Sequence, residues 1–167
     1  GIGAEERNIG GAIAQSIYKM SRLPVSILVV ILGEGGSGGA LAIGIGDRVL
    51  MMQNAIYSVI SPEGCASILW RDREMAPEAA KAKKLTAPHL IKLGVIDEIV
   101  PEPEKGAHRD PDLAAENLKA SILGHLSHLR DLSNEDLLSE RHQRLQSMGI
   151  FEELSAVSEP PASSEES

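Results

Sequence analysis

The sequence predicts an α/β fold with a mostly parallel sheet, because short apolar runs alternate along the chain with amphipathic helical stretches. A second observation is the glycine-rich turn Gly33-Glu34-Gly35-Gly36-Ser37-Gly38-Gly39-Ala40, set between an apolar run and a helix start. The third is composition: 43% of residues are hydrophobic but only 2% aromatic, so Ile, Leu, Val, Ala and Met must fill a core packed closely against glycine. A chain of 167 residues is long enough for one domain with a core of its own.

Residues 4–20 read as a helix whose apolar face carries Ile9, Ile13, Ile17 and Met20, ended by Ser21-Arg22-Leu23-Pro24. Residues 25–32 form an apolar run broken only by Ser26 and read as a buried strand. The glycine turn follows, then a helix over 37–45. Residues 48–52 and 56–60 are two short strands joined by Gln53-Asn54-Ala55. Ser61-Pro62-Glu63 has the N-cap, the N1 proline and the first-turn carboxylate of a helix start, and that helix runs through Trp70. Ala76-Pro77-Glu78 opens another helix, and Thr86 caps a third that Gly94 stops after Leu93. Residues 95–100 are a strand ended by Pro101, and residues 101–109 are a loop. Asp110-Pro111 starts a long helix over 111–130 with Leu118, Ile122, Leu126 and Leu129 on one face. Ser133 caps the last helix, 134–148, which contains Leu137, Leu138, Arg141 and Leu145. The domain plan is a core over 1–110, a helical hairpin over 111–149 and a disordered acidic tail over 150–167.

The net charge of −8, from 24 acidic and 16 basic residues, argues against non-specific nucleic-acid binding. Lys81, Lys83 and Lys84 are a local basic exception. The single cysteine, Cys65, excludes a disulfide within the chain and a cysteine-based metal site, and fits a reducing compartment. No signal peptide is visible, and no apolar run reaches the roughly 18 residues of a membrane span. The start at Gly1-Ile2-Gly3, with no initiator Met, reads as a fragment or a processed product.

The glycine turn carries the chemistry. A strand, a flexible turn and a helix N-terminus together present unpaired N–H groups at a positive dipole end, which suits a phosphate, a carboxylate or an oxyanion formed during reaction. Gly35-Gly36-Ser37-Gly38-Gly39 also satisfies the G-x-S-x-G nucleophile-elbow pattern, with Asp97 and His108 following in hydrolase order. Ser37 is equally suited to cap the helix. The dinucleotide fingerprint matches Gly33 to Gly38, but no acidic residue stands at Met52-Gln53-Asn54 where that fingerprint places one, and no Lys makes a Walker loop. Glu63 reads as a first-turn charge and Cys65 as a small packing residue. His108, His125 and His128 lack metal-ligand spacing, so no metal site is expected.

Several long runs, taken in order, resemble the carboxyltransferase α-subunit family of acetyl-CoA carboxylases. They are residues 1–7, 33–47, 57–70, 76–80, 94–103 and 106–111, and the resemblance covers about residues 1–149. It implies a crotonase-like (ClpP/crotonase) fold and transfer of the carboxyl group of carboxybiotin to acetyl-CoA, giving malonyl-CoA for fatty acid synthesis. It implies biotin on a separate carrier protein, a zinc-containing β subunit that completes the site in an α2β2 assembly, and a biotin carboxylase in the ATP-dependent complex. The cytoplasm is the implied location, with the plastid stroma as the other compartment. Carried over by position, Gly39, Ala40 and Gly38 become backbone oxyanion donors, and Gly35 and Gly36 lie on the carboxybiotin side. Two such amides could contribute about 3–4 kcal/mol each to the transition state, which makes a Ser37 nucleophile unnecessary. The family's usual chain is about twice as long, its N-terminal part is absent here, and Asn8-Ile9 replaces a small polar pair.

Overall fold

The computed structural model describes residues 1–148. The proposed tail at 150–167 lies outside the described residues. A three-stranded parallel sheet has β1 (Leu28–Ile31), β3 (Arg48–Met52) and β5 (Glu98–Val100) in the order β1-β3-β5. A second parallel pair joins β2 (Glu34–Gly36) to β4 (Ile56–Ser58). Val49, Leu50 and Met51 of β3 are fully buried, as expected for a central strand covered on both faces. Around them gather Ile31, Met52, Ala55, Ala87, Leu90, Ile96, Val100 and Ala114, an aliphatic core with no aromatic residue among its buried members.

Among the described residues, eight α-helices surround the strands: α1 (Ile2–Glu5), α2 (Ile9–Met20), α3 (Ser37–Ile43), α4 (Pro62–Leu69), α5 (Ala76–Lys83), α6 (Ala87–Lys92), α7 (Pro111–Asp131) and α8 (Asn134–Gln146). Three of the caps read from the sequence form, whereas Thr86 precedes α6 with its hydroxyl against His89 Nδ1 and no cap hydrogen bond, and Gly36 rather than Ser37 stands at the N-cap of α3. Ser61, Asp110 and Ser133 accept hydrogen bonds from the amides of Gly64, Leu113 and Asp136. Gly94 takes φ +68° just beyond α6.

The expected helix over 4–20 is divided. Asn8 adopts a left-handed conformation (φ 59°, ψ 49°) and caps α2 by accepting from the Gly11 amide, so α1 and α2 are separate. The strands are shorter than the apolar runs that announced them, because pairing stops where a neighbour ends. The run 25–32 pairs over Leu28–Ile31, 95–100 over Glu98–Val100 and 56–60 over Ile56–Ser58. The helix expected over 37–45 ends at Ile43. A 3-10 turn at Arg73–Met75 had no sequence signal.

Two aspartates set the register of the large sheet. Asp47 precedes β3, receives the Ile27 amide on its carboxylate (2.6 Å) and donates its own amide to the Ile27 carbonyl (2.8 Å). Asp97 precedes β5 and repeats the arrangement with Val49, at 2.6 and 2.8 Å. Each aspartate is gripped by an arginine of α8. Arg141 makes a two-pronged pair with Asp47 (2.7 and 2.9 Å) and donates to the carbonyls of Met20, Leu23 and Val25, so all five of its N–H groups are used. This pair is buried, at 1% and 2% side-chain exposure. Arg144, one helical turn on, pairs with Asp97 at 3.0 Å and donates to the Val95 and Gly44 carbonyls. No described helix is long and apolar enough to cross a membrane.

Candidate active site

The glycine turn is partly a strand. Its first half, β2, pairs in parallel with β4, and Gly35 stands in register with Tyr57. A glycine is required there, since a Cβ would meet Tyr57 Cδ2 at 2.7 Å. Its second half opens α3. Ser37 adopts φ 56°, a left-handed value that turns the chain sharply from strand to helix. Gly38 lies under α2, where a Cβ would meet Ile13 Cδ1 at 2.7 Å. Gly39 differs from both: a Cβ on it meets nothing within 4 Å among the described residues, and the residue is exposed.

Helix geometry decides which amides are free. With Gly36 at the N-cap, Ser37, Gly38 and Gly39 are the first three helical residues and their N–H groups have no carbonyl within the helix to reach. Ala40 is the first whose amide can close onto the N-cap carbonyl, and its side chain is buried at 1% exposure.

Two cavities flank the turn. One of about 390 Å³, the more polar of the two, is lined by Glu34, Gly35, Gly36 and Ser37 on one side and by Ser58, Ser61, Pro62 and Glu63 on the other, with Ile56, Ile60 and Leu85 completing its wall. It runs along the parallel pair β2–β4 and past its carboxyl ends, where ligands of open α/β sheets bind. The second, about 350 Å³, is apolar and lined by Ala40, Leu41, Gly44, Tyr57, Leu145 and Met148, among others. Thus Gly35 and Gly36 reach the polar cavity, Ala40 reaches the apolar one, and Gly38 and Gly39 line neither.

Glu63 keeps its carboxyl below the usual carboxylate range, chiefly through a hydrogen bond from its own backbone N–H and then through the Ser61 side chain. It is therefore an anion at neutral pH and unsuited to act as a general acid. Burial pushes the Tyr57 hydroxyl above its ordinary value against the pull of Arg144, so it remains a hydrogen-bond donor, and it donates to the Ala40 carbonyl at 2.5 Å.

The hydrolase alternative is not supported. Asp97 is committed to Arg144 and the Val49 amide, and His108 lies beside Gly106 in the loop after β5. No hydrogen bond joins Ser37, Asp97 and His108 among the described residues. Nor does any group of three or more His, Cys, Asp or Glu side chains among them form a metal cluster. Cys65 is half-buried and free.

Sequence reasoning gave Tyr57, Asp47, Arg141 and Arg144 no role. The arginines had one readable sign, their spacing of three on a single helix, matched by an aspartate placed just before each of two strands.

A family model described as "Acetyl co-enzyme A carboxylase carboxyltransferase-like" matches residues 1–149. The chain is 58% identical over 153 residues to the acetyl-coenzyme A carboxylase carboxyl transferase subunit alpha of Thermus thermophilus, covering 92% of this chain and 49% of that one. It is 56% identical to the protein of the same name from Deinococcus radiodurans, covering 92% and 48%. The chain thus spans about half the length of these curated relatives. Among solved structures it is similar to transcarboxylase 12S (TM-score 0.61, 21% identity, 78% of this chain and 25% of that chain). It is also similar to a chain of a Pseudomonas malonate decarboxylase hetero-tetramer (TM-score 0.62, 18% identity, 86% and 57%). These likenesses bear out the crotonase-like α/β class.

Proposed function

The chain belongs to the acetyl co-enzyme A carboxylase carboxyltransferase-like family, and we propose that it supplies the α side of a carboxyltransferase that moves a carboxyl group from carboxybiotin to acetyl-CoA. The product would be malonyl-CoA, for fatty acid synthesis. The observation that carries this reading is the exposed Gly39 at the start of α3, inside a family match that runs from residue 1 to 149.

The residues present fit such a ligand. The ureido ring of biotin is small, planar and uncharged, and its carbonyl oxygen accepts hydrogen bonds. The polar cavity of about 390 Å³ has the size of a small-molecule site, and glycine lines its strand side. Carboxybiotin, when docked, supplies the carboxyl group. Gly35 and Gly36 line the strand side of the cavity that would hold the ring, and the free amides of Gly38 and Gly39, which follow Ser37 out of that cavity, would take the negative charge that develops on the ureido oxygen as the carboxyl group departs. Ala40 is the third of the expected donors, but its amide sits where the first helical turn closes, so its part is to hold Gly38 and Gly39 in place.

Gly39 has nothing of the described chain above it, which favours a site completed by a second subunit. We assign that role to a β subunit holding the acyl-CoA and a zinc ion, with biotin arriving on a carrier protein charged by a biotin carboxylase. The assembly would work in the cytoplasm or a plastid stroma.

The test is biocytin-dependent conversion of malonyl-CoA to acetyl-CoA by this chain mixed with a carboxyltransferase β subunit. Turnover above that of the β subunit alone is expected. No gain over the β subunit, with a full-length α subunit active in the same assay, would show that this chain is not a sufficient α component.

A further inference from the structure

Glycines cannot aim their own amides, because they have no side chain to anchor. The turn from Gly33 to Gly39 contains five of them, and a preorganised oxyanion site needs those amides fixed before the charge arrives. A neighbouring side chain has to do it.

We propose that Tyr57 is the positioning residue of this turn. The inference rests on the functional reading above. Tyr57 touches the turn on both sides of the strand-to-helix bend. Its ring lies on Gly35, close enough that a Cβ there would be 2.7 Å from Cδ2. Its hydroxyl donates to the Ala40 carbonyl at 2.5 Å, and a Cβ on Gly44 would stand 3.0 Å from the Tyr57 hydroxyl oxygen. One side chain thus spans β2, the first turn of α3 and the C-cap of α3, and sets the angle between them. Its own backbone is held on both flanks: it belongs to β4, in register with Gly35, and its amide donates to the Leu85 carbonyl at 3.1 Å. Arg144 steadies the far end of α3 by donating to the Gly44 carbonyl at 3.3 Å. Tyr57 faces the apolar cavity while Gly36 and Ser37 line the polar one, so the tyrosine braces the turn from behind and leaves its ligand side free.

The test compares the parent chain with Tyr57→Phe, which keeps the ring on Gly35 and removes the donor. Both are assayed with the β subunit, and amide hydrogen exchange is followed on the chain alone. In the variant kcat should fall about tenfold with KM for malonyl-CoA unchanged, since a small misorientation of catalytic groups costs rate and spares ground-state binding. Exchange at Ala40 and Leu41, the first hydrogen-bonded amides of α3, should quicken about tenfold, while Val49, Leu50 and Met51 stay as in the parent. Tyr57→Leu, lacking ring and hydroxyl, should go further in the same direction.

Unchanged exchange at Ala40 and Leu41, or unchanged kcat, overturns the proposal. So does exchange that rises equally in β3, because that is general loosening. A parent chain without turnover beside an active full-length α subunit shows that this chain is not a sufficient α component, and the exchange at Ala40 and Leu41 then decides the proposal by itself. An active parent beside an unaffected Tyr57→Phe overturns the proposal alone.

Discussion

Gly35 and Gly39 lie in one turn and have opposite reasons to be glycine. Gly35 is filled from within, by the Tyr57 ring, whereas Gly39 opens onto space. Gly35→Ala should therefore cost about 1–3 kcal/mol of stability through overpacking, measured as a lower urea midpoint. Gly39→Val should leave the midpoint close to the parent's and reduce turnover by about 100-fold or more, since its branched side chain occupies the approach to the free amides. Full activity in Gly39→Val would remove Gly39 from the oxyanion assignment. Ser37→Ala should change turnover little, because among the described residues no hydrogen bond joins the hydroxyl to Asp97, His108 or another base. The residue scale also shows what sequence alone hides. The turn was readable as a site from its glycines and flanking elements. The division of labour between those glycines was not, because it depends on Tyr57 and Ile13, both distant in sequence. Arg141 is the strongest case. Its only sign was the spacing it shares with Arg144, which does not reveal a partner, yet its five donors and the buried Asp47 carboxylate satisfy one another. Arg141→Met should cost about 3–5 kcal/mol in chemical denaturation, since it leaves a buried charge unpaired.

At the scale of elements, helix starts were legible because their signals are local. Ser61, Asp110 and Ser133 each sit three residues before the amide they cap. Asn8 escaped because its left-handed backbone interrupts an apolar period that continues on either side. Strand ends were overextended for the opposite reason: hydrophobicity persists past the last paired residue, and pairing belongs to the partner. β2 was unreadable as a strand, because glycines carry no alternation. The loop after β5 offers a pH test. Burial pushes the Glu102 carboxyl up, but hydrogen bonds from the Asn54 and Ala107 amides, with help from the Asn54 side chain and His108, outweigh it and leave it below its ordinary value. A lowered folded-state pKa adds stability that is present above the unfolded value and lost as pH falls through the folded one. Protection of the Asn54 and Ala107 amides should therefore fade below about pH 4.3, the ordinary glutamate value. In Glu102→Gln that dependence should disappear, and its persistence would place the titration elsewhere.

For the whole molecule, the long runs shared with the carboxyltransferase family were visible in the sequence and the family match bears them out over residues 1–149. The way the sheet is fastened was not visible, because Asp47 and Arg141 stand 94 positions apart and Asp97 and Arg144 stand 47 apart. These clamps meet β3 and β5 at their starting ends, while the polar cavity lies along β2 and β4 and past their carboxyl ends. Tightening one end should therefore leave the other free to admit a ligand. Arg141 also dictates a timetable. During synthesis β1 and β3 leave the ribosome long before α8 exists, and the Asp47 carboxylate cannot be buried at acceptable cost until its arginine arrives. A nascent chain stopped at residue 133 should stay protease-sensitive throughout β1 and β3, whereas one extended to residue 148 should resist. Sheltering of the aliphatic strands until α8 has been made is the expected consequence, and a translational stall in α7 should prolong the association of the chain with chaperones.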